Sequence, residues 1–361
     1  MKKNFIISGV NLTEGGTLTV FRDCLRHAVQ YLDNDEWNII AIVHDSELFD
    51  LPSIEYIEMP EIKASWLKRL KFEYYDCRTL SKELNADFWL SMHDMSSCVG
   101  DVPQAVYCHN PMWFYKMPLK QVLSEPKLFL FSKLYSSLYG LNIQANKVVV
   151  VQQEWIRKAF EEKFNHNNIA VAHPVVNDTS ECSCVKTSGN RFIFPTLSRS
   201  FKNIEVLLNA WKLLLKDPSW AGSLVVTIDG TENAYATSLV KKFGNLKGVE
   251  FTGRISYSEV QHYFTQSDCL VFPSKLETWG LPLSEAKKHG LAILAADLPY
   301  AHETSGKYNG VSFFSPDDSQ SLADNMKKFS VGDLKLDETK ATKYKEPFAK
   351  NWNVFFELLL K

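Results

Sequence analysis

The chain has 361 residues, too many for one ordinary hydrophobic core and about right for two. Hydrophobic residues make up 45% and charged residues 23%, which excludes a disordered chain and a fibrous repeat. The formal net charge of −2 provides no overall basic field, so nucleic acid is not expected as the main partner and any phosphate binding must be local.

The first half alternates apolar runs with segments of helical spacing. The opening run at residues 5–8 is too short for a secretory signal and predicts a first strand. Further strands are predicted at residues 37–43, 54–57, 88–92, 105–108 and 148–151, with helices over 17–31 and 66–84. Alternating strands and helices predict a parallel sheet. No run approaches the roughly 20 apolar residues that cross a bilayer.

A pair of glycines, Gly15 and Gly16, follows the first predicted strand and opens a helix. Paired glycines let the backbone approach a ligand closely, and a helix N-terminus favours phosphate. Tight packing between strand and helix is the alternative explanation. The six-residue dinucleotide fingerprint Gly-x-Gly-x-x-Gly is absent here.

A histidine, His109, ends the predicted strand 105–108 at the edge where α/β sheets present ligand-binding groups. It could hydrogen-bond a ligand hydroxyl, although a lone histidine is more often structural. His93 and Asp94 end the preceding strand and are weaker candidates for an acceptor site.

Two segments, residues 113–120 and 126–135, interleave aromatic residues with Lys116, Lys120, Lys127 and Lys133. That mixture suits an anionic lipid surface. The alternative is that these aromatics belong to the core of the N-terminal half, because a helix that covers a parallel sheet is apolar on one face.

A polar stretch at residues 177–190 predicts an interdomain linker, and a second series of strands follows it. These strands are predicted at residues 192–194, 224–228, 249–252, 269–272, 292–295 and 311–314, with a helix over 204–215. The apolar tail, residues 347–360, predicts a terminal helix that must dock on another part of the fold. The scattered cysteines, including Cys182 and Cys184, lack zinc-site spacing and are interpreted as free thiols in a reducing cytoplasm.

A loop directly after the first strand of the second half carries Arg199 and Lys202. The arginine fork and the lysine point charge can hold a diphosphate together. The alternative is an ordinary surface pair before a helix that Asn203 caps.

The most informative stretch is Pro273-Ser274-Lys275-Leu276-Glu277-Thr278-Trp279-Gly280-Leu281-Pro282-Leu283-Ser284-Glu285. Pro282 suits the first turn of a helix, so the free backbone N–H groups at Gly280 and Leu281 form a phosphate site at the carboxyl edge of the sheet. Glu277 and Glu285 can flank the same pocket and accept hydrogen bonds from sugar and ribose hydroxyls. The alternative is a solvated helix start with two surface glutamates.

The ordered set Pro-Ser, Glu277, Gly280-Leu281-Pro282 and Glu285 resembles the signature of family 4 of the retaining nucleotide-sugar glycosyltransferases. Trp279 stands where that family usually has Phe. The resemblance covers nearly the whole chain and implies the α/β GT-B fold, with two Rossmann-like domains, a cleft between them and a C-terminal helix that crosses back. It places an acceptor-binding domain at residues 1–176 with helix 345–361, and a nucleotide-sugar-binding domain at 191–344.

The resemblance also implies roles for these residues. Glu277 would contact the hydroxyls of the transferred sugar and Glu285 the ribose, while Arg199, Lys202 and the Gly280-Leu281 amides would stabilise the leaving diphosphate. Gly15 and Gly16 would face the donor, and His109 would lie near the donor sugar.

A retaining transfer of a hexose-type sugar to a glycan or lipid-linked acceptor follows from the same resemblance, as part of bacterial cell-surface polysaccharide synthesis: O-antigen, capsule or lipopolysaccharide. No metal or other cofactor is expected, because the Asp-x-Asp at Asp33 and Asp35 lies at the amino edge of the sheet. The expected location is the cytoplasm, with peripheral contact at the inner face of the membrane.

Two other functions fit parts of the sequence. A non-catalytic subunit that binds sugar nucleotides would keep the phosphate loops, and transfer by the isolated protein would exclude it. A nicotinamide-dependent oxidoreductase would share the α/β alternation but needs a fingerprint loop and a ribose-binding acid, for which Asp45 is a weak candidate.

Overall fold

A computed structural model describes residues 2–33, 35–118, 122, 126–174 and 185–361. The described strands are β1 (Lys3–Ser8), β2 (Trp37–Val43), β3 (Glu55–Glu58), β4 (Ala86–Ser91), β5 (Gln104–Tyr107), β6 (Asn146–Val151), β7 (Ile169–Ala172), β8 (Arg191–Phe194), β9 (Ser223–Val226), β10 (Val249–Phe251), β11 (Cys269–Phe272), β12 (Ala292–Ala296), β13 (Val311–Phe314) and β14 (Phe348–Ala349). The described helices are α1 (Gly15–Tyr31), α2 (Trp66–Lys71), α3 (Cys77–Glu83), α4 (Pro126–Gly140), α5 (Glu154–Phe164), α6 (Ile204–Leu214), α7 (Ala234–Phe243), α8 (Tyr257–Gln266), α9 (Leu281–Lys288), α10 (Pro299–Ser305), α11 (Ser319–Ser330) and α12 (Trp352–Leu360).

Contacts group the described residues into two compact units. The first unit takes those within 1–114, 125–175 and 344–361, and the second takes those within 115–124 and 176–343. Each unit has its own sheet, and the pairings recorded between the described strands are all parallel. The α/β class predicted from the alternating pattern is therefore confirmed.

The first sheet has the order β14-β7-β6-β5-β4-β1-β2-β3 among the described strands. Because neighbouring residues of a strand face opposite sides, Phe5 and Ile7 of β1 lie in one buried cluster and Ile6 lies in another. Helices cover both faces of the sheet, which explains why its central strands are apolar without alternation. The strand order reverses between β1 and β4, the point at which such sheets bind ligands at their carboxyl edge.

The C-terminal helix α12 packs into the core of the first unit. Trp352, Phe355, Phe356 and Leu359 are fully buried in the cluster that contains Phe5. Asn351 caps the helix, its Oδ1 accepting from the Val354 N–H at 3.0 Å. Burial of each of these side chains contributes roughly 1.5–3 kcal/mol, so the predicted return of the chain end to the N-terminal half is confirmed and strongly favoured.

The second sheet has the order β10-β9-β8-β11-β12-β13. Its order reverses between β8 and β11, so that the loops after these two strands meet at one edge. Those loops carry the residues that are predicted to bind the phosphates and the sugar.

The structure departs from the predicted elements at three places. The short strands β7 and β14 were not predicted, and residues 348–349, expected in the terminal helix, pair with β7 instead. The helix predicted over 66–84 is interrupted by a π-helical turn at Phe72–Asp76. Most of the predicted linker, residues 177–184 with Cys182 and Cys184, lies outside the described residues; beyond it, the Lys186 N–H donates to the Gly290 carbonyl at 2.8 Å.

Candidate functional site

A glycine with an unusual backbone conformation directly precedes helix α9. Gly280 has φ +80°, and a Cβ atom there would lie 3.2 Å from both the Phe272 ring and Leu283. Pro282 follows in the first turn, as predicted. Among the described residues, the N–H groups of Gly280 and Leu281 donate to no acceptor, so they can receive an anionic oxygen.

Lys202 and Glu277, on the two loops at the switch point, form a half-buried ion pair. The Lys202 Nζ lies 2.5 Å from Glu277 Oε1, and the side chains are 17% and 14% exposed. Partial burial strengthens their attraction relative to a surface pair. Arg199 lies beside this pair in sequence, but its side chain is exposed and forms no ion pair with the described residues.

The two loops are held together by backbone and amide hydrogen bonds that the sequence did not reveal. The Asn203 side chain donates to the carbonyls of Pro273 (3.1 Å) and Pro316 (2.7 Å), and the Lys275 N–H donates to the Phe201 carbonyl (2.8 Å). Asn203 itself adopts the left-handed conformation, with φ +58°. The alternative interpretation of this loop made Asn203 a helix cap, but its side chain makes no capping hydrogen bond and ties three loops together instead.

Glu285, in the second turn of α9, has a perturbed acidity. Burial raises its pKa from an ordinary 4.5 to about 7, with Lys288 opposing that rise. Its carboxyl group forms no hydrogen bond to a described residue. A half-buried carboxyl group of this kind favours a ligand that brings hydroxyl donors to it.

In the first unit, Gly15 and Gly16 lie exposed at the start of α1, after β1 and next to the switch point of that sheet. Gly15 has φ +67°, which favours glycine. The helix has no side-chain capping hydrogen bond and no acidic residue in its first turn, and the acidic Glu14 occupies its N-cap position.

His109 is buried directly after β5. Its Nδ1 lies 3.1 Å from Gln152 Nε2, which assigns the proton of the neutral ring to Nε2. Burial lowers the pKa of His109, and Asp94 partly offsets that decrease. The lowered pKa favours the neutral ring, which is suited to hydrogen bonding.

Asp94, predicted as a weak acceptor-site candidate, is a buried structural hub. Its carboxyl group accepts hydrogen bonds from the backbone N–H groups of His109 and Asn110 and from the hydroxyls of Tyr135 and Tyr139, the last two at 2.9 Å. Its backbone is in the left-handed region, with φ +76°. This carboxyl group therefore fixes the turn that carries His109 and ties it to α4.

A second buried polar group at the same edge contains His93, a weaker candidate from the sequence, together with Arg69 and Glu73, which the sequence did not reveal. Arg69 Nε lies 2.8 Å from Glu73 Oε1, while Glu73 Oε2 accepts from the Ser97 hydroxyl at 2.6 Å. His93 Nε2 lies 2.9 Å from the Ser8 hydroxyl, and burial lowers the pKa of this histidine well below its usual value. The four-residue spacing of Arg69 and Glu73 on one helical face was the available signal.

Residues 113–120 and 126–135, predicted to contact lipid, divide between core and surface. Trp113, Phe114 and Tyr135 pack in or against a buried cluster, as the alternative interpretation required. Lys133 is exposed on α4. Leu119, Lys120 and the side chain of Lys127 lie outside the described residues.

Neither a metal cluster nor a membrane span was found in the part of the chain that the structure describes. No group of three or more His, Cys, Asp or Glu side chains there could hold a metal ion. Asp33 Oδ1 accepts from the Asp35 N–H at 2.8 Å in a turn before β2. None of the described helices is long and apolar enough to cross a bilayer.

Comparison with known families finds a match within the second half of the chain. Residues 186–346 match the family model described as "Glycosyl transferases group 1". This part of the chain is therefore similar to the group 1 glycosyltransferases. The match contains the loops of Lys202 and Glu277 and the helix α9.

A curated relative and three solved structures are also similar to this chain. The O-antigen chain mannosyltransferase RfbU of Salmonella typhimurium is 25% identical over 201 residues, and the match spans about half of each protein, 54% of this chain and 54% of RfbU. Among solved structures, S. aureus TarM with UDP, fondaparinux and alpha-GlcNAc-glycerol superposes with a TM-score of 0.68 at 11% identity, covering 92% of this chain and 93% of that chain. Anabaena Alr3699/HepE with UDP and glucose gives 0.62 at 14% identity, covering 92% and 93%. The lipopolysaccharide outer core galactosyltransferase WaaB gives 0.61 at 15% identity, covering 92% and 91%. The chain therefore has the GT-B glycosyltransferase fold.

Proposed function

We propose that the chain is a retaining, metal-independent glycosyltransferase that moves a hexose-type sugar from a nucleotide-sugar donor to a glycan or lipid-linked acceptor. The observation that carries this proposal is the grouping of Lys202, Glu277, Glu285 and the free amides of Gly280 and Leu281 at the switch point of the second sheet. In this group, one cation and a helix N-terminus can bind a diphosphate, and two carboxyl groups can accept hydrogen bonds from hydroxyls.

In the proposed binding step, the donor separates Lys202 from Glu277. Lys202, Arg199 and the N–H groups at the start of α9 then bind the diphosphate, and Glu277 accepts a hydrogen bond from a sugar hydroxyl instead of from Lys202. Glu285 accepts from the ribose hydroxyls. The charges that stabilise the departing diphosphate are then already in position, and this preorganisation lowers the barrier without a metal ion.

His109 is proposed to donate its Nε2 hydrogen to a hydroxyl of the transferred sugar. The contact with Gln152 supports this role, because it holds the neutral ring in the tautomer that donates from Nε2. Gly15 and Gly16 are proposed to approach the donor through their backbone.

The names of the relatives support a role in cell-surface polysaccharide synthesis. RfbU is named an O-antigen mannosyltransferase and WaaB a lipopolysaccharide galactosyltransferase, while TarM and HepE were solved with UDP. We propose that this chain acts in the cytoplasm on the same class of glycan, with peripheral contact at the inner face of the membrane.

The test is donor binding followed by transfer. Thermal stabilisation by a panel of UDP-glucose, UDP-galactose, UDP-N-acetylglucosamine and GDP-mannose should single out one donor, because a ligand that binds only the folded state raises its stability. Donor turnover by the isolated protein excludes a non-catalytic subunit, and NMR of the product should show the anomeric configuration of the donor. Absence of stabilisation by all four nucleotides, together with binding of a reduced nicotinamide, would contradict the proposal.

A further inference from the structure

The second unit contains an open cavity away from the loops that follow β8 and β11. Its volume is about 550 Å³, and it lies between residues 307 and 309 on one wall and residues 339–343 on the other. The first wall directly precedes β13, at the amino edge of the sheet, whereas Glu277 follows β11 at the carboxyl edge. We call it the lysine cavity. Its volume is in the range of small-molecule sites.

Hydrogen bonds between distant residues bring the two walls of the lysine cavity together. The Thr339 hydroxyl donates to the Tyr308 carbonyl at 2.9 Å, and the Asp337 N–H donates to the Val311 carbonyl at 2.8 Å. In return, the Phe313 N–H donates to Asp337 Oδ2 at 2.7 Å. The chain at residues 337–339 is therefore held against β13 and the loop before it, so the residues next to these anchor points line the same cavity.

Three lysines line the cavity: Lys307, Lys340 and Lys343. All three side chains are exposed, and none forms an ion pair with a residue that the structure describes. By contrast, the Nζ of Lys327 in the same unit lies 2.6 Å from Asp217 Oδ2. Like charges around one cavity repel one another, and an anion bound between them would replace that repulsion by attraction.

Acidic side chains do not neutralise these lysines. The described residues that line the cavity are three lysines, Asn309, two threonines and one alanine, without a carboxyl group among them. Two acids close to the lining in sequence accept backbone hydrogen bonds: Asp337 from Phe313, and Glu346 from the Phe348 N–H at 2.9 Å. The lysine cavity is therefore locally cationic, although the whole chain has a formal net charge of −2.

The longer wall also offers neutral donors. Residues 340–343 lie outside helices and strands, and their backbone N–H groups donate to no acceptor among the described residues. Asn309 and Thr342 add an amide and a hydroxyl. Lysine point charges together with free backbone N–H groups suit the oxygens of phosphate, whereas carboxylates match the planar fork of arginine.

We propose that the lysine cavity binds a small phosphate anion that carries two or more negative charges. This site goes beyond the proposed function, because it lies at the edge of the second sheet opposite to Lys202 and Glu277. Residue 343 is the last of the second unit, so the bound anion would fix the end of that unit's chain.

Calorimetric titration with inorganic diphosphate tests the site. The triple variant Lys307→Gln, Lys340→Gln and Lys343→Gln should bind diphosphate roughly 10- to 100-fold more weakly than the wild type, because each exposed ion pair contributes up to about fivefold. Added salt should weaken binding by the wild type. The matched control, Lys212→Gln with Lys216→Gln and Lys241→Gln, removes the same charge from exposed positions of the same unit and should bind as the wild type does.

The variant Lys202→Ala separates the lysine cavity from the proposed donor site. Diphosphate binding that persists in Lys202→Ala and is lost in the triple variant would support the lysine cavity. Absence of binding by the wild type, or equal affinities in the triple variant and its control, would overturn the proposal. Nucleotide-sugar binding should be the same in the triple variant and the wild type, so a failure of the proposed function and a failure of this site give different results.

Discussion

Replacing Glu285 by Gln keeps the shape of the side chain and removes its charge. In the wild type this carboxyl group is half-buried, forms no hydrogen bond to a described residue, and has its pKa raised by burial to about 7. The folded state therefore holds a proton that the unfolded chain releases at an ordinary pKa of 4.5. Between these two pH values the folded state binds more protons, so the free energy of unfolding falls as pH rises.

The linkage relation gives the size of this effect. Ionising Glu285 in its buried position costs roughly 3 kcal/mol at pH 8 and less than about 1 kcal/mol at pH 5. Glutamine carries no such cost at either pH. The variant Glu285→Gln should therefore be more stable than the wild type at pH 8, with a melting temperature higher by roughly 5–10 °C, and close to it at pH 5.

Thermal and urea unfolding of both proteins at pH 5 and pH 8 measure this difference. Glu338→Gln, at an exposed position of the same unit, is the matched control for removal of one carboxyl group. The reasoning is refuted if Glu285→Gln is destabilised at pH 8, or if its advantage is the same at both pH values. A gain in stability with a loss of donor affinity would mark Glu285 as a residue kept for binding at the expense of stability.

Three further predictions concern the site and its support. Glu277→Ala should lower kcat more than donor affinity, because it removes a sugar contact but also frees Lys202 for the diphosphate; steady-state kinetics with varied donor would show this, and a pure rise in KM would contradict it. Asp94→Asn should lower the free energy of unfolding by about 1–3 kcal/mol, since four donors lose a charged acceptor, while calorimetric binding of nucleoside diphosphate stays unchanged. Activity should remain full in excess chelator, and strict dependence on an added divalent metal would exclude the proposed donor site.

The sequence predicted the strands of the second unit and the start of α9 well, because short local patterns determine them. A strand, a glycine and a proline fix the start of α9, and the alternating pattern predicts parallel strands whose carboxyl ends share an edge. Glu277 and Lys202, 75 residues apart, meet at 2.5 Å because β8 and β11 are neighbours in the sheet. The resemblance to a known signature supplied the roles that we propose for them, which no spacing could provide.

The sequence failed where the outcome depends on packing between distant segments. The strand β14 is two residues long and forms only because β7 offers it an edge. Asp94 acts as a hub through Tyr135 and Tyr139, whose distance from it in sequence leaves no local pattern. Helical spacing predicted a helix at Trp66 but not that its first two apolar residues would face outward, because that depends on the burial of Arg69.

Calorimetric titration of the protein with the nucleotide sugar that stabilises it most, in wild type and in Lys202→Ala, tests the central claim most directly. Lys212→Ala, an exposed lysine elsewhere in the second unit, is the control. If the loops after β8 and β11 hold the donor diphosphate, Lys202→Ala should weaken binding by about 10- to 100-fold, as expected for loss of a charged hydrogen bond, and Lys212→Ala should not. Equal affinities in all three proteins would show that the diphosphate binds elsewhere and would contradict the proposed donor site.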